Sequence, residues 1–273
     1  MCGRFVQVIS IEAIEKRFEI ALPDGFEPEN SYNIAPGDYA YVISSDAPHE
    51  LQRYQFGMTP NWAKKPMYLF NARSEGDSNR ENKKNYQGSM GIISKPSFRK
   101  PIRSQRCLVI ANAFIEGPEK EKLNKPYAIS HINDELFSLA GIWDSWVEPT
   151  TGEMHHSFAI ITTVGNEITD RIGHHRSPVV LLKEDEKKWL NNQLPLPEVV
   201  KLLKPYPGKL QKAVPISVQI KNPKNKNNEL LLPVGKTITV ESEVKVTKDI
   251  KLQGMGSRKK KKDPPDWQRT LFD

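Results

Sequence analysis

The chain has 273 residues, 37% of them hydrophobic, with 40 Lys and Arg against 33 Asp and Glu for a net charge of +7. That length admits one large domain or two small ones, with enough apolar material for an ordinary core. No run of 18 apolar residues occurs, the first residues lack the basic-then-apolar pattern of a secretion signal, and two cysteines, Cys2 and Cys107, are too few for a disulfide framework or a zinc site.

Taken in chain order, Ile11, Ile14, Phe18 and Ile20 recur at helical spacing behind Ser10, which predicts a short capped helix. "LPDGFEPENSYNIAPGD" reads as loop, punctuated by Pro and Gly. "YAYVIS" and "LQRYQFGM" read as strands joined by a polar turn over 46–49. "TPNWAKKP" interrupts regular structure, and 71–100 is polar, with a helical or irregular stretch around "SNRENKKNYQGSMGIIS". A dense strand series follows in "RCLVIANAFIEG", "PYAISH", "LFSLAGIWDSW" and "HHSFAIITTV". "KEDEKKWLNN" and "LPEVVKLLKPY" read as short helices, and "LQKAVPISVQI" as a last strand. Strands dominate without a strand–helix alternation, so the expected class is α+β with mostly antiparallel sheet. The expected folded unit spans 1–220. Residues 221–255 form an extension that opens with the linker-like "KNPKNKNNE", after which "LLLPVGKTITVESEVKV" adds a strand or two or packs loosely. Residues 256–273, "GSRKKKKDPPDWQRTLFD", have the composition of a disordered basic tail.

Cys107 lies in an apolar run and reads as a core thiol. Cys2 lies in none. Removal of Met1 would leave an N-terminal cysteine, whose α-amine has a reference pKa of about 7.7–8.0. Such an amine attacks aldehydes to form a Schiff base, and the adjacent thiol can close on the imine carbon as a thiazolidine. A thiol-based N-terminal hydrolase and a chance terminal cysteine stand beside that reading. "NARSE" puts Asn71, Arg73 and Glu75 on one side of an extended segment, where an amide can orient an oxygen and an Arg can hold a phosphate; a solvated loop is the alternative. Glu116 follows an apolar strand, where burial can raise a carboxyl into the range useful for proton transfer. His174, His175 and Arg176 in "GHHRSP" read as proton-transfer or phosphate-contact groups rather than metal ligands.

"MCGRF", "YNIAPG", "FGMTPNWAK", "NARSE", "SFR", "RCLVIANAFIEG", "LAGIWDSW" and "HHRSP" occur in an order that resembles the SOS response-associated peptidase (SRAP) family over residues 2–218. The resemblance implies a barrel-like β core with short flanking helices. It also implies a basic groove for single-stranded DNA and its junctions with duplex, and covalent capture of abasic sites without metal or cofactor. By that resemblance Cys2 is the nucleophile, with Asn71, Glu116 and His174 beside it, while Arg4, Asn33, Trp62, Arg73 and Arg176 line the DNA path. Departures from the family pattern include Ile115 for an aromatic and Gly117 for Trp, and the second is expected to loosen packing behind Glu116. A monomeric, cytoplasmic, nucleoid-associated bacterial protein is expected. Gln268, Leu271 and Phe272 match a Q-x-x-L-F peptide of the kind that docks on a bacterial sliding clamp. A cysteine (auto)peptidase and a non-covalent single-stranded DNA-binding module remain the competing functions.

Overall fold

The computed structural model describes residues 3–22 and 24–240. The chain forms β1 (Phe5–Gln7), α1 (Ile11–Phe18), β2 (Ser31–Ile34), β3 (Tyr39–Ser44), β4 (Ala47–Phe56) and β5 (Asn71–Arg73). A single helical turn, α2 (Pro101–Ser104), leads into β6 (Arg106–Ala111), β7 (Ala113–Glu116), β8 (Tyr127–His131), β9 (Phe137–Val147) and β10 (Met154–Val164). Then come α3 (Glu167–Arg171), β11 (Arg176–Pro178), β12 (Val180–Leu181), α4 (Lys183–Leu190), α5 (Leu196–Lys201), β13 (Gln211–Pro215) and β14 (Ile238–Thr239). Ser10 caps α1 as its position predicts, its hydroxyl accepting from Ala13 N at 3.1 Å.

The strands make a closed barrel and a second sheet beside it. Pairing runs β10-β4-β3-β6-β9 and returns to β10, so this sheet closes on itself; β5, β11 and β12 add to its rim. Closure removes free strand edges. Pairing is antiparallel except where β10 runs parallel to β4 and β5. The second sheet has the order β14-β13-β8-β7-β1-β2. The fold is therefore α+β, a barrel core flanked by short helices.

One buried glutamine joins the two layers. Gln7 of β1 donates to Tyr41 O (2.9 Å) and Ile110 O (2.8 Å) and accepts from Tyr41 N (2.7 Å). Its amide thereby satisfies backbone groups of β3 and β6 that no strand reaches. Between the layers, Phe5 meets Phe56 edge-on at 5.5 Å and Phe56 stacks on Phe158 at 5.2 Å. On the barrel's outer face, Ile14, Ile102, Ile142, Ile161 and Trp189 form a second core under the helices. Arg106, fully buried, ties that face together by donating to Ile102 O, Trp189 O and Asn191 O at 2.6–2.9 Å. Cys107, the next residue, points to the opposite face and is buried with Phe5, Phe56 and Phe158, and burial pushes its thiol pKa up.

Several elements differ from what periodicity predicts. "RCLVIANAFIEG" is two strands in different sheets, broken at Asn112, whose N donates to Val6 O (3.0 Å) and whose Oδ1 accepts from Val8 N (2.7 Å). β1 and β2 lie in stretches without alternation, and each is too short to carry a period. The β3–β4 turn closes on Ser44 and Ala47, so "APHE" continues the strand. β13 stops at Pro215, which has no N–H to offer, and Ser217 caps a 3-10 turn over Val218–Lys221.

The linker-like residues after 220 are held to the second sheet. Asn33, fully buried in β2, donates from Nδ2 to Ile220 O (3.1 Å), Asn222 O (3.0 Å) and Asn225 O (3.0 Å). Leu230 is buried, and β14 pairs with β13. Asn33→Ala is expected to cost about 1–3 kcal/mol by stranding these carbonyls. It should also speed tryptic cleavage at Lys221, Lys224 and Lys226, read by mass spectrometry of a timed digest.

Candidate active site

The end of β7, the turn before β11 and the strand β5 meet at one rim of the barrel. β1 lies antiparallel to β7 with Phe5 opposite Phe114, and Ile115 N donates to Arg4 O at 2.9 Å. The chain preceding Phe5 therefore runs toward Glu116. Glu116 is 7% exposed and its Oε1 accepts from Gly117 N at 3.4 Å.

His174 reaches the same spot from a rigid turn. Asn166 starts α3 with a capping box closed by Thr169, and His174 N donates to Thr169 O at 2.8 Å. Gly173 sits at φ +77°, a backbone shape that side-chain-bearing residues rarely adopt. The result places His174 Nε2 3.5 Å from Glu116 Oε2, with both side chains buried.

Burial acts on the two partners in opposite directions. It pushes the Glu116 pKa up, because a buried carboxylate loses its hydration. It pushes His174 down to about 3, and the nearby His175 and Arg176 charges add to the effect. At neutral pH His174 is therefore an uncharged imidazole beside a carboxyl that holds its proton more tightly than usual. The pair can accept a proton at one atom and deliver one at the other.

His175 stacks on His174 with ring centres 5.4 Å apart and an interplanar angle of 16°. Its Nδ1 is 2.8 Å from Glu119 Oε2, which ties the 117–125 loop over the pair. That loop corrects the expectation that Gly117 loosens the packing behind Glu116. A Cβ on Gly117 would lie 1.9 Å from Lys122 O and 2.9 Å from Lys125 O, so loop backbone already occupies the place of a side chain.

Next to this pair lies a buried charge cluster. Arg176 and Glu75 are each 4% exposed, with Arg176 Nη1 3.0 Å from Glu75 Oε2 and Nη2 3.1 Å from Thr162 Oγ1. Burial lowers the Arg176 pKa and Glu75 opposes that shift. Arg73 Nε is 3.6 Å from the same Glu75 oxygen, and its Nη2 bonds Asn79 O and Asn82 Oδ1. Arg73 stays partly exposed at 30%, so it presents its charge at the rim while Arg176 stays inside. Asn71 lies half-buried on the same strand, opposite Ile160 of β10.

The other expected site residues are spread more widely. Arg4, half-buried, donates to Gly3 O (3.1 Å) and Lys221 O (3.3 Å), and burial lowers its pKa. Asn33 is fully buried and spends its amide on carbonyls of the chain. Trp62 is 55% exposed in a loop fixed by Asn61 N to Asp144 Oδ2 (2.9 Å) and Trp146 Nε1 to Ala63 O (2.6 Å). Cys2, Gln268, Leu271 and Phe272 lie outside the described residues. Sequence reading missed the roles of Thr162 and Glu119, which no motif marks. Among the described residues, Glu148, Glu153 and His155 gather at the β9–β10 hairpin with donor atoms within 4.8 Å of one another, at the other end of β10 from the histidine pair. No helix among the described residues is long and apolar enough to cross a membrane.

Residues 1–223 match the sequence model of the SOS response associated peptidase (SRAP) family. The chain belongs to this family. It is 35% identical over 239 residues to the abasic site processing protein YoqW of Bacillus subtilis (strain 168), covering 85% of this chain and 99% of that one. It is 28% identical over 280 residues to the abasic site processing protein HMCES of Gallus gallus, covering 89% and 79%. Among solved structures, a Bacteroides thetaiotaomicron protein superposes with a TM-score of 0.63 at 31% identity, covering 74% of this chain and 85% of that one. This SRAP chain thus carries the Glu116–His174 pair on its family's fold.

Two outcomes test the geometry. Gly117→Ala should lower stability by about 1–3 kcal/mol in urea unfolding, because the loop backbone must move. His174 has a folded pKa below its unfolded value near 6.5, so its contribution to stability falls as pH drops from about 6.5 toward 3. Glu116 is raised, so its contribution is present at low pH and lost as pH rises through its folded value. His174→Gln should accordingly flatten the loss of stability on acidification, read from urea midpoints between pH 7 and pH 4.

Proposed function

We propose that this SRAP chain captures abasic sites in single-stranded DNA as a covalent thiazolidine on Cys2. The observation that carries the reading is the buried Glu116–His174 pair at 3.5 Å, on the rim toward which the backbone runs from Phe5 back to Gly3. Relatives that bear the name abasic site processing protein support the choice of lesion.

An abasic sugar is a ring hemiacetal in equilibrium with an open aldehyde at C1′. Neutral His174 accepts the C1′ hydroxyl proton and passes it to O4′ as the C1′–O4′ bond breaks, so the ring opens with no net proton change and without a standing imidazolium, which its pKa far below neutral disfavours. Glu116, with its raised pKa, delivers the proton that turns a departing oxygen into water. The Cys2 amine adds to C1′, water leaves, and the Cys2 sulfur adds to the resulting imine carbon while its proton returns to the carboxylate. The products are one thiazolidine and one water. A closed ring carries no imine to drive β-elimination, so the strand is shielded rather than cut. Asn71 positions the reacting oxygen, and Arg73 and Arg4 face the phosphates. Holding both nucleophilic atoms near one carbon supplies much of the acceleration.

Trp62, exposed beside Lys64 and Lys65, stacks on a neighbouring base or wedges at a duplex end. The 268–272 pattern adds recruitment to a sliding clamp, a reading that rests on those residues alone.

Purified protein mixed with single-stranded DNA bearing one abasic site should give a shifted band on a denaturing gel. The band should vanish in Cys2→Ala and form at least about tenfold more slowly in Glu116→Gln. Intact mass of the active protein should lack Met1. Equal shifts for wild type and Cys2→Ala would remove the covalent reading, leaving peptide turnover or salt-reversible binding as the activity to measure.

A further inference from the structure

Residues 91–105 cross the outside of the barrel between two anchors that belong to the DNA path proposed above. At the first, Ile92 N donates to Ser74 O at 3.1 Å, one residue from Arg73. Gly91 and Gly76 touch there so closely that a Cβ on Gly76 would come within 2.8 Å of Gly91 Cα. At the second, Gln105 Nε2 donates to Asp144 Oδ1 at 3.2 Å. The other oxygen of that carboxylate accepts from Asn61 N at 2.9 Å and so holds the loop bearing Trp62. The segment spans from the strand of Arg73 to the carboxylate that fixes Trp62.

Its two faces differ. Ile92, Phe98 and Ile102 are buried in the core with Ile142 and Ile161. Outward, Ile93, Arg99, Lys100, Arg103 and Ser104 line a hollow of about 340 Å³ with no carboxylate among its walls. Arg103 is fixed at the rim by donating to Ile93 O (3.1 Å) and to Arg99 O. Lys95, the next cation along, is already paired with Asp77 at 3.1 Å, whereas Arg99, Lys100 and Arg103 have no acidic partner among the described residues. The larger hollow under α1 and α4, about 680 Å³, is different. Its walls include Glu19, Glu184 and Glu186, and Arg17 and Lys187 are neutralised by Glu186 and Glu19.

We infer that the Arg99–Lys100–Arg103–Ser104 hollow binds backbone phosphates of the DNA strand that runs between Arg73 and Trp62. The inference rests on the DNA-binding part of the proposed function. Three cations without carboxylates and one hydroxyl suit a phosphodiester, which carries one charge and accepts several hydrogen bonds. Pre-positioning of Arg103 by backbone carbonyls lowers the ordering cost of that contact. No base edge is needed, so the contact is blind to sequence.

The probe is an undamaged, fluorescein-labelled oligonucleotide, used single-stranded and with a duplex arm, and titrated by anisotropy at several salt concentrations. R99Q/K100Q/R103Q should weaken binding about tenfold at moderate salt and reduce the salt slope by about 2, the counterion release of three phosphate contacts on a single strand. K16Q/K183Q/K187Q, equal in charge change but on the α1–α4 face, should bind nearly as wild type. Loss on both oligonucleotides assigns the phosphates to the single strand, and loss only with the duplex arm assigns them to the duplex. Equal weakening by both triple variants would overturn the inference, as would no weakening by the first. Arg99→Glu, a single exposed change, repeats the test should the triple variant fold poorly. Crosslinking of wild type to an abasic oligonucleotide is scored separately. Its absence counts against the thiazolidine reading, while the affinity comparison still decides the hollow.

Discussion

Barrel closure on β10 is the constraint on which the rest depends. Among the described residues this strand pairs with β9 along most of its length, with β4 and β5 in parallel, and with β11 at its end. Pairing β4 at Ser157 and Phe158 and β5 from Ile160 onward means the intervening chain must leave the barrel and return. The excursion exposes Trp62 and delivers Arg73 opposite Thr162. Antiparallel pairing with β11 then brings Arg176 opposite Val164. Two arginines from distant parts of the sequence converge on one glutamate because a single strand holds both partners in register.

The two charge arrangements at this rim obey different rules. Arg176 and Glu75 compensate each other within hydrogen-bonding distance, and removing one member of such a buried pair commonly costs about 3–5 kcal/mol. Glu116 and His174 instead stay buried by leaning toward their neutral forms. A pair tuned in this way suits proton transfer near neutral pH, and the compensated pair beside it keeps the framework rigid. The stacked His175 and its link to Glu119 join that framework to the 117–125 loop.

That loop also shows how a sequence departure can be misread. Replacing a large side chain by Gly117 invites the expectation of a void. The backbone of Lys122 and Lys125 fills the space instead, so a closely packed loop takes over the job of a side chain. Asn33 teaches a similar lesson. Polar residues in loop-like sequence read as surface contacts, yet this amide is sealed inside and holds three backbone carbonyls between residues 220 and 225. Nothing in its immediate neighbours marks it as buried, because its partners lie far along the chain.

By itself the sequence determined the strand-rich α+β class, the capped helix behind Ser10, the buried Cys107 and the ordered motifs of the family, all of which follow from local periodicity, capping chemistry or short spacing. It also determined the kinds of chemistry available, since a cysteine at position 2, a strand-end carboxyl and paired histidines are readable as residue types. Only the tertiary structure decided that "RCLVIANAFIEG" divides between two sheets, that Glu116 and His174 meet, and that Arg73 and Arg176 share Glu75. The raised carboxyl of Glu116 was readable from its place at the end of an apolar strand, whereas the lowered imidazole of His174 was beyond local reading. The physical reason is common to all of these: each depends on non-local strand register and on the water excluded by it, and neither quantity is written in any window of neighbouring residues.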